Sequence, residues 1–455
     1  MSGSEPSPSA PQPQLERSVH TTGAVLLGLG SIIGTGVFVS LGLAAGMAGS
    51  SILSTLALGG VLALLNGLSV AQLSADLPLS GGTYEFAYRH LHPWAGFSAG
   101  WFFLWAKSAS AATAALGVAS YALELTGATG GRFAGATVPL ALLLVVALTT
   151  LSALGIRRSN RVNAVVVSVS IFSLLLFMLV GLPGAISQWG TRIPLYGIDW
   201  NTFQGGRKFF EATALIFVSY AGYGRIATLG EEMAEPRKTI PRALLLALGV
   251  AFVLYAGVVV TAVGQVGPMD YAELASRTGA PLEQIAVRMG HPWLAKILGV
   301  GGVAALMGVL INLVLGLSRV AFAMGRRGDL PRVFARVESV HRAPFAATLF
   351  SGVLIALMVI PGNIEITWSF SAFTVLVYYA LTNAAALRLP KDRLLYPRFL
   401  SALGLIGCLS LAFWVDWYIW TVGLVILIAG VFWRVSWRRY AWRKHQEALG
   451  REPKS

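Results

Sequence analysis

The chain has 455 residues, 55% hydrophobic and 12% charged, with mean hydropathy +0.69 and a formal net charge of +14. Soluble domains carry about 25% charged residues. Here the apolar residues gather into blocks of about 18 to 30, the length a helix needs to cross a hydrocarbon core of about 30 Å, which excludes a soluble enzyme and predicts an all-α membrane protein.

Residues 1–18, rich in Pro, Ser and Gln, read as a disordered tail without the basic start and cleavage site of a signal peptide. Twelve apolar blocks follow, near 22–46, 51–75, 94–123, 136–154, 162–183, 204–229, 241–265, 292–324, 344–361, 366–388, 398–414 and 417–436. The stretch 437–455 is a basic tail. Twelve passes put both termini on one face. Of the 34 Lys and Arg, 24 fall on that face, 7 on the other, and Lys107, Arg225 and Arg319 lie inside blocks. The positive-inside rule then makes both termini cytoplasmic, in a cell membrane. The basic excess is a topology signal and a contact for anionic lipids, not a nucleic-acid footprint.

Chemistry-bearing motifs are scarce. The single Cys408 excludes an internal disulfide framework or thiolate metal site. His90 and His92 form an H-x-H with no third ligand, and no P-loop, GxSxG or HExxH occurs. No metal, cofactor or catalytic residue is expected, and the chain is not expected to be an enzyme. A channel would need a carboxylate ring or pore loop, and neither is evident.

Two apolar blocks carry glycine where a stable helix would carry Ala or Leu. The first reads GLGSIIGTGVF over 28–38, and the sixth reads FVSYAGYGR over 217–225. Interior glycine costs a helix about 1 kcal/mol relative to Ala. In the first block it suits either close helix packing through Gly30 and Gly34 or unwinding over Ser31–Gly36, and the matching interruption of the sixth block at Gly222 decides for a break in both. The breaks lie five passes apart. A five-helix unit crosses an odd number of times and reappears inverted, and matched breaks in inverted halves point to a midplane transport site. The restarted half-helix in the first block offers free amides to a carboxylate. Carbonyls of Ile32, Val218 and Ala221 suit an ammonium. An α-amino acid fits that pair.

Four stretches in order carry a family resemblance: 28–38, PLSGGTYEFAYRHLHPWAGFSAGW over 78–101, FVSYAGYGRIATLGEEMAEPRKTIPRA over 217–243, and GLSRVAFAMGRRGDLP over 316–331. The chain resembles the amino acid–polyamine–organocation superfamily of permeases across roughly residues 20–435. The resemblance implies the LeuT-type fold, with inverted five-helix repeats at 19–183 and 184–390 and two trailing helices at 391–436. It implies carboxylate binding at the amides of Gly34, Thr35 and Gly36, and an aromatic lid formed by Phe217, Tyr220 and Tyr223.

The sequence departs from that pattern in the fifth block. Proton-coupled relatives place a lysine there in lieu of sodium; the matching position is Ser170, so protons and sodium both remain candidates. Lys107 lies mid-way along the third block, where an ammonium is costly unless it faces a cavity or partner, and is a candidate proton carrier. Arg225 is open to two roles, facing the cytoplasmic route or snorkelling and pairing with Glu231 or Glu232; Arg319 is expected to anchor the cytoplasmic end, and Asn312 to reach the pocket. Glu211, eleven residues above Gly222, is expected to lie too high to read a substrate. A site with one lysine and no acid disfavours cationic substrates. The expected activity is secondary active transport of small or medium neutral amino acids with proton coupling or exchange; the alternatives are anionic amino acids, other organic ions, or an ion channel.

Overall fold

The computed structural model describes residues 20–77, 81–128, 135–154, 160–192, 203–227, 233, 235–338 and 344–448. The N-terminal tail, Glu231, Glu232 and the end of the basic tail lie outside them. The described chain is a bundle of helices. The first block gives α1 (Thr21–Ile32) and, past a break and a π-helical turn at Gly36–Ser40, α2 (Leu41–Ala48); α3 (Ile52–Asp76) follows. A short α4 (Thr83–His90) leads into α5 (Pro93–Thr126), α6 (Thr137–Ala153) and α7 (Asn160–Arg192). The sixth block gives α8 (Phe203–Tyr220) and α9 (Gly224–Ala227), separated by a 3-10 turn at Ala221–Tyr223. Then come α10 (Pro236–Val266), two short helices α11 (Pro268–Thr278) and α12 (Pro281–Arg288), α13 (Pro292–Arg326), α14 (Phe345–Val359), α15 (Ile364–Leu387), α16 (Arg398–Ala412) and α17 (Trp417–Ala448).

Local chemistry explains several boundaries. Pro93 opens α5, where its missing N–H is not needed, and the His92 side chain accepts from the Trp94 amide. The helix ends at Gly127, whose φ of 67° is open to glycine at little cost. Prolines likewise start α10, α11, α12 and α13. Among the described residues, seven helical stretches are long and apolar enough to cross a membrane, the first running Thr21–Asp76 through the break. The helices α6, α14 and α16 are apolar but hold only 15 to 17 residues.

Burial sorts the helices. A helix apolar all round belongs in the middle of a bundle or in lipid. The helix α5 is the former: it packs along α13 and α15, and its residues from Ser108 to Tyr121 are all buried. Small residues let the backbones approach, as in other membrane bundles; the run Ser108–Ala115 holds only Ser, Ala and Thr. The helices α7, α14, α16 and α17 instead turn Leu179, Val353, Ile406, Phe432 and similar side chains outward. That outer surface is apolar enough for lipid.

Candidate functional site

The site begins where α1 stops. Ile33 leaves helical geometry with ψ at 104°, and Thr35 returns to it. The Phe38 amide donates to the Gly34 carbonyl, so a new helical run starts at Gly34. The interruption is narrower than the expected Ser31–Gly36, since Ser31 and Ile32 complete α1 and Gly36 already belongs to the π turn. The first amides of a restarted run lack intrahelical acceptors, and those of Thr35 and Gly36 belong to residues on the central cavity.

The sixth block breaks beside it. A Cβ on Gly222 would stand 2.1 Å from the Ser31 carbonyl oxygen and 2.6 Å from the Ile32 nitrogen. Only glycine permits such backbone-on-backbone contact. Gly36 is similarly pressed against Ser219, with a Cβ there reaching 2.7 Å from the Ser219 Cβ. Hydrogen bonds tie the two broken helices together. The hydroxyls of Ser40 and Ser219 lie 2.9 Å apart, and Tyr255 of α10 donates from one hydroxyl to the carbonyls of Ile32 (2.8 Å) and Ser219 (3.0 Å). The Ala221 carbonyl accepts from the Tyr379 hydroxyl at 3.1 Å. Two of the three carbonyls expected to meet an ammonium, Ile32 and Ala221, thus already hold a tyrosine proton, with a second lone pair left on each.

A cavity of about 120 Å³ occupies the junction of the breaks. From the first break it is lined by Ser31, Ile32, Thr35 and Gly36, and from the sixth by Val218, Ser219, Ala221 and Gly222. Asn312 and Lys107 also line it, from α13 and α5. Gly34 does not; a Cβ there would meet the Val309 side chain at 2.4 Å, so this glycine serves the packing of the break on α13. Toward one end the cavity is shut. There Trp368 donates to the Leu215 carbonyl, and the pairs Ser110–Ser371 and Thr113–Thr367 join α5 to α15. Toward the other it continues past Thr83 and Phe86 of α4, Arg225 of α9 and Arg319 of α13.

An amino acid permease family model matches residues 23–445, the whole bundle that builds this cavity. The chain belongs to the amino acid permease family. An uncharacterized transporter of Mycobacterium tuberculosis is 37% identical over 418 residues, covering 92% of this chain and 90% of that protein. The branched-chain amino acid permease BcaP of Bacillus subtilis is 30% identical over 361 residues, 76% of this chain and 74% of its own. A vacuolar cationic amino acid transporter of Arabidopsis thaliana is 27% identical over 356 residues, 75% of this chain and 58% of its own.

In this permease the three aromatic side chains expected to form a lid are all fully buried and none lines the cavity. Phe217 and Tyr223 pack on Tyr379, and Tyr220 packs on Tyr255. The aromatic side chains on the cavity are Phe86, Phe103, Trp368, Tyr378 and Tyr379. No motif in the sequence marks the last three, because α15 contributes them through tertiary packing alone. Ser170 also lies away from the cavity. Its hydroxyl donates to the carbonyls of Val166 (2.7 Å) and Gly301 (3.3 Å), bridging α7 to α13.

The electrostatics of the cavity are one-sided. Lys107, Arg225 and Arg319 line it and no Asp or Glu does. Among the described residues no carboxylate comes within 4.0 Å of the Lys107 ammonium. Arg225 and Arg319 both stand on the cavity wall, and Glu231 and Glu232, the acids read as possible partners of Arg225, lie outside the described residues. Glu211 is buried in α8 away from the cavity, near Arg207, itself paired with Asp416.

Proposed function

We propose that this protein is a secondary active transporter that moves amino acids across the cell membrane by alternating access. The observation that carries the reading is the meeting of two helix breaks, at Ile33–Gly34 and Ala221–Tyr223, on one cavity. Free amides at Thr35 and Gly36 would take the α-carboxylate, where a half-helix N-terminus favours negative charge. The second lone pairs of the Ile32 and Ala221 carbonyls, with that of Val218, would take the α-ammonium. Asn312 would border the substrate's side chain.

The reading extends to topology. Twelve passes follow if α1–α2 and α8–α9 each count as one broken pass and α6, α14 and α16 cross in tilted or thinned bilayer. Residues 19–183 and 184–390 would then be inverted repeats, with both termini on the cytoplasmic side and the cavity opening toward α4 on that same side. The preferred cargo is a small or medium neutral amino acid, moved with a proton or by exchange, with Lys107 as the proton-carrying group. The positively charged, acid-free cavity favours a second reading, an anionic amino acid whose extra carboxylate meets Lys107.

The test is uptake of radiolabelled leucine, alanine and glutamate into proteoliposomes holding the purified protein, with and without an internal pool of the same solute. Accumulation or counterflow of leucine or alanine supports the neutral reading; selective glutamate uptake supports the anionic one. Absence of uptake or counterflow across a screen of the common amino acids would overturn both.

A further inference from the structure

At the mouth of the cavity a buried charge cluster joins four parts of the chain that no motif connects. Its centre is Asp329, just past the end of α13, which is fully buried. A buried carboxylate is tolerated only when its oxygens are satisfied and its charge is met. Asp329 accepts from the hydroxyls of Tyr84 (3.0 Å) and Tyr88, both in α4. Two arginines of α17 meet its charge: the Nε of Arg434 at 3.1 Å and an Nη of Arg438 at 3.1 Å.

Arg434 is the unusual member. It lies in the last helix yet is only 1% exposed. Its guanidinium stands 4.4 Å from the Trp94 ring centroid and 5.0 Å from that of Phe97, at the start of α5, and donates to the Tyr88 hydroxyl at 2.8 Å. Stacking on aromatic faces and a fork of donors are guanidinium properties that an ammonium does not reproduce. Arg438, by contrast, is half exposed.

The helix α4 faces two ways. Tyr84 and Tyr88, one turn apart, point to the cluster. Thr83 and Phe86 line the cavity, and Thr83 is tied to α15 through the Thr382 hydroxyl (2.7 Å) and the Tyr378 hydroxyl (3.3 Å). Whatever fixes Tyr84 and Tyr88 therefore fixes the wall of the mouth. Further ties lie at the periphery, where Arg327 bonds Glu85 and His90 at the end of α4 stands 3.6 Å from Asp76 of α3.

We infer that Arg434, acting through Asp329, is a positioning residue for transport: the last helix clamps α4 so that it forms a fixed wall at the cavity's mouth, against which the broken helices open and close. This inference rests on the proposed transport cycle for its consequence, but the clamp itself is readable without any substrate. Arg434 touches neither the breaks nor the cavity lining, so its loss alters the mouth and not the binding groups.

The decisive measurement is thiol labelling. Val320→Cys places a thiol on the cavity wall of α13, and the natural Cys408 is buried and silent. In membrane vesicles exposing the α4 side, a membrane-impermeant maleimide should modify Cys at 320 at least threefold faster when Arg434→Met is added. Arg434→Lys should restore slow labelling only in part, and Arg438→Met should change it less than twofold. In proteoliposomes Arg434→Met should lower the maximal uptake rate at least fivefold while changing the half-saturating concentration less than twofold. If Arg434→Met fails to insert, the Lys variant carries the same comparison. Labelling unchanged in both variants, or an equal loss of affinity and rate, would overturn the clamp. Faster labelling in a protein that transports no amino acid would uphold the clamp and reject the proposed cargo.

Discussion

Gly222 lies so close to the Ser31 carbonyl that a Cβ at this glycine would stand 2.1 Å from the oxygen. The last turn of α1 and the turn after α8 are therefore in backbone contact, and the partner is a main chain that no rotamer change can relieve. Gly222→Ala should separate the two breaks, costing about 1–3 kcal/mol as overpacking, and lower substrate affinity at least tenfold. The conservative change tests the contact more sharply than a bulky one, because Ala favours helix and adds a single carbon. Equilibrium binding by the purified variant checks it, and wild-type affinity would remove this contact from the site.

Tyr255 holds the same junction by hydrogen bonding. Its hydroxyl serves the carbonyls of Ile32 and Ser219. Tyr255→Phe keeps the ring on Tyr220 but leaves two buried acceptors short, at about 1–3 kcal/mol. Thermal unfolding in detergent should show a lowered midpoint. Substrate should restore part of it if an ammonium takes over those carbonyls. A variant as stable as wild type with and without substrate would show that the bridge contributes nothing.

Lys107 is the cation on which the two cargo readings divide. As a proton carrier, Lys107→Met should retain exchange of substrate between the two faces and lose accumulation driven by an imposed pH gradient. Lys107→Arg should not rescue accumulation, since guanidinium keeps its proton. As a partner for an anionic side chain, Lys107→Arg should keep most uptake, and Lys107→Met should weaken glutamate at least tenfold while sparing leucine. Gradient-driven leucine uptake undiminished in Lys107→Met would exclude the carrier role.

Glu283 predicts a pH dependence of stability. It is buried in α12, its Oε2 has no hydrogen-bond partner, and burial, helped by the neighbouring Glu124 charge, pushes its carboxyl up to about 7. An acid whose folded pKa is raised binds its proton more tightly in the folded state. Stability is therefore full at low pH and falls as pH rises from the ordinary carboxylate range to about 7. Glu283→Gln should abolish that decline, making the variant more stable than wild type above pH 7 by up to about 3 kcal/mol. Melting curves from pH 5 to 8 on both proteins decide it; parallel curves would refute the assignment.

The amino-acid sequence by itself determined that this is a helical membrane protein, where most apolar helices lie, and that the first and sixth would break. Those features are local. Hydrocarbon thickness sets block length, and clustered glycine weakens a helix whatever surrounds it. The motif stretches also carry Thr35, Gly36, Ala221 and Gly222, which line one cavity in the structure. Tertiary structure decided what each neighbouring side chain faces. Which face of a bundle helix meets a cavity is set by its neighbours, so Phe217, Tyr220 and Tyr223 pack on Tyr379 and Tyr255 behind the wall, and Ser170 turns to Gly301. For the same reason Tyr379 and Trp368, on a helix with no motif, emerge on the cavity only when α15 packs against α5 and α8. Arg434 is the clearest case: 105 residues separate it from Asp329. Pairing across that distance is set by the folding of the whole bundle, in which a buried charge must find its partner wherever the chain brings one.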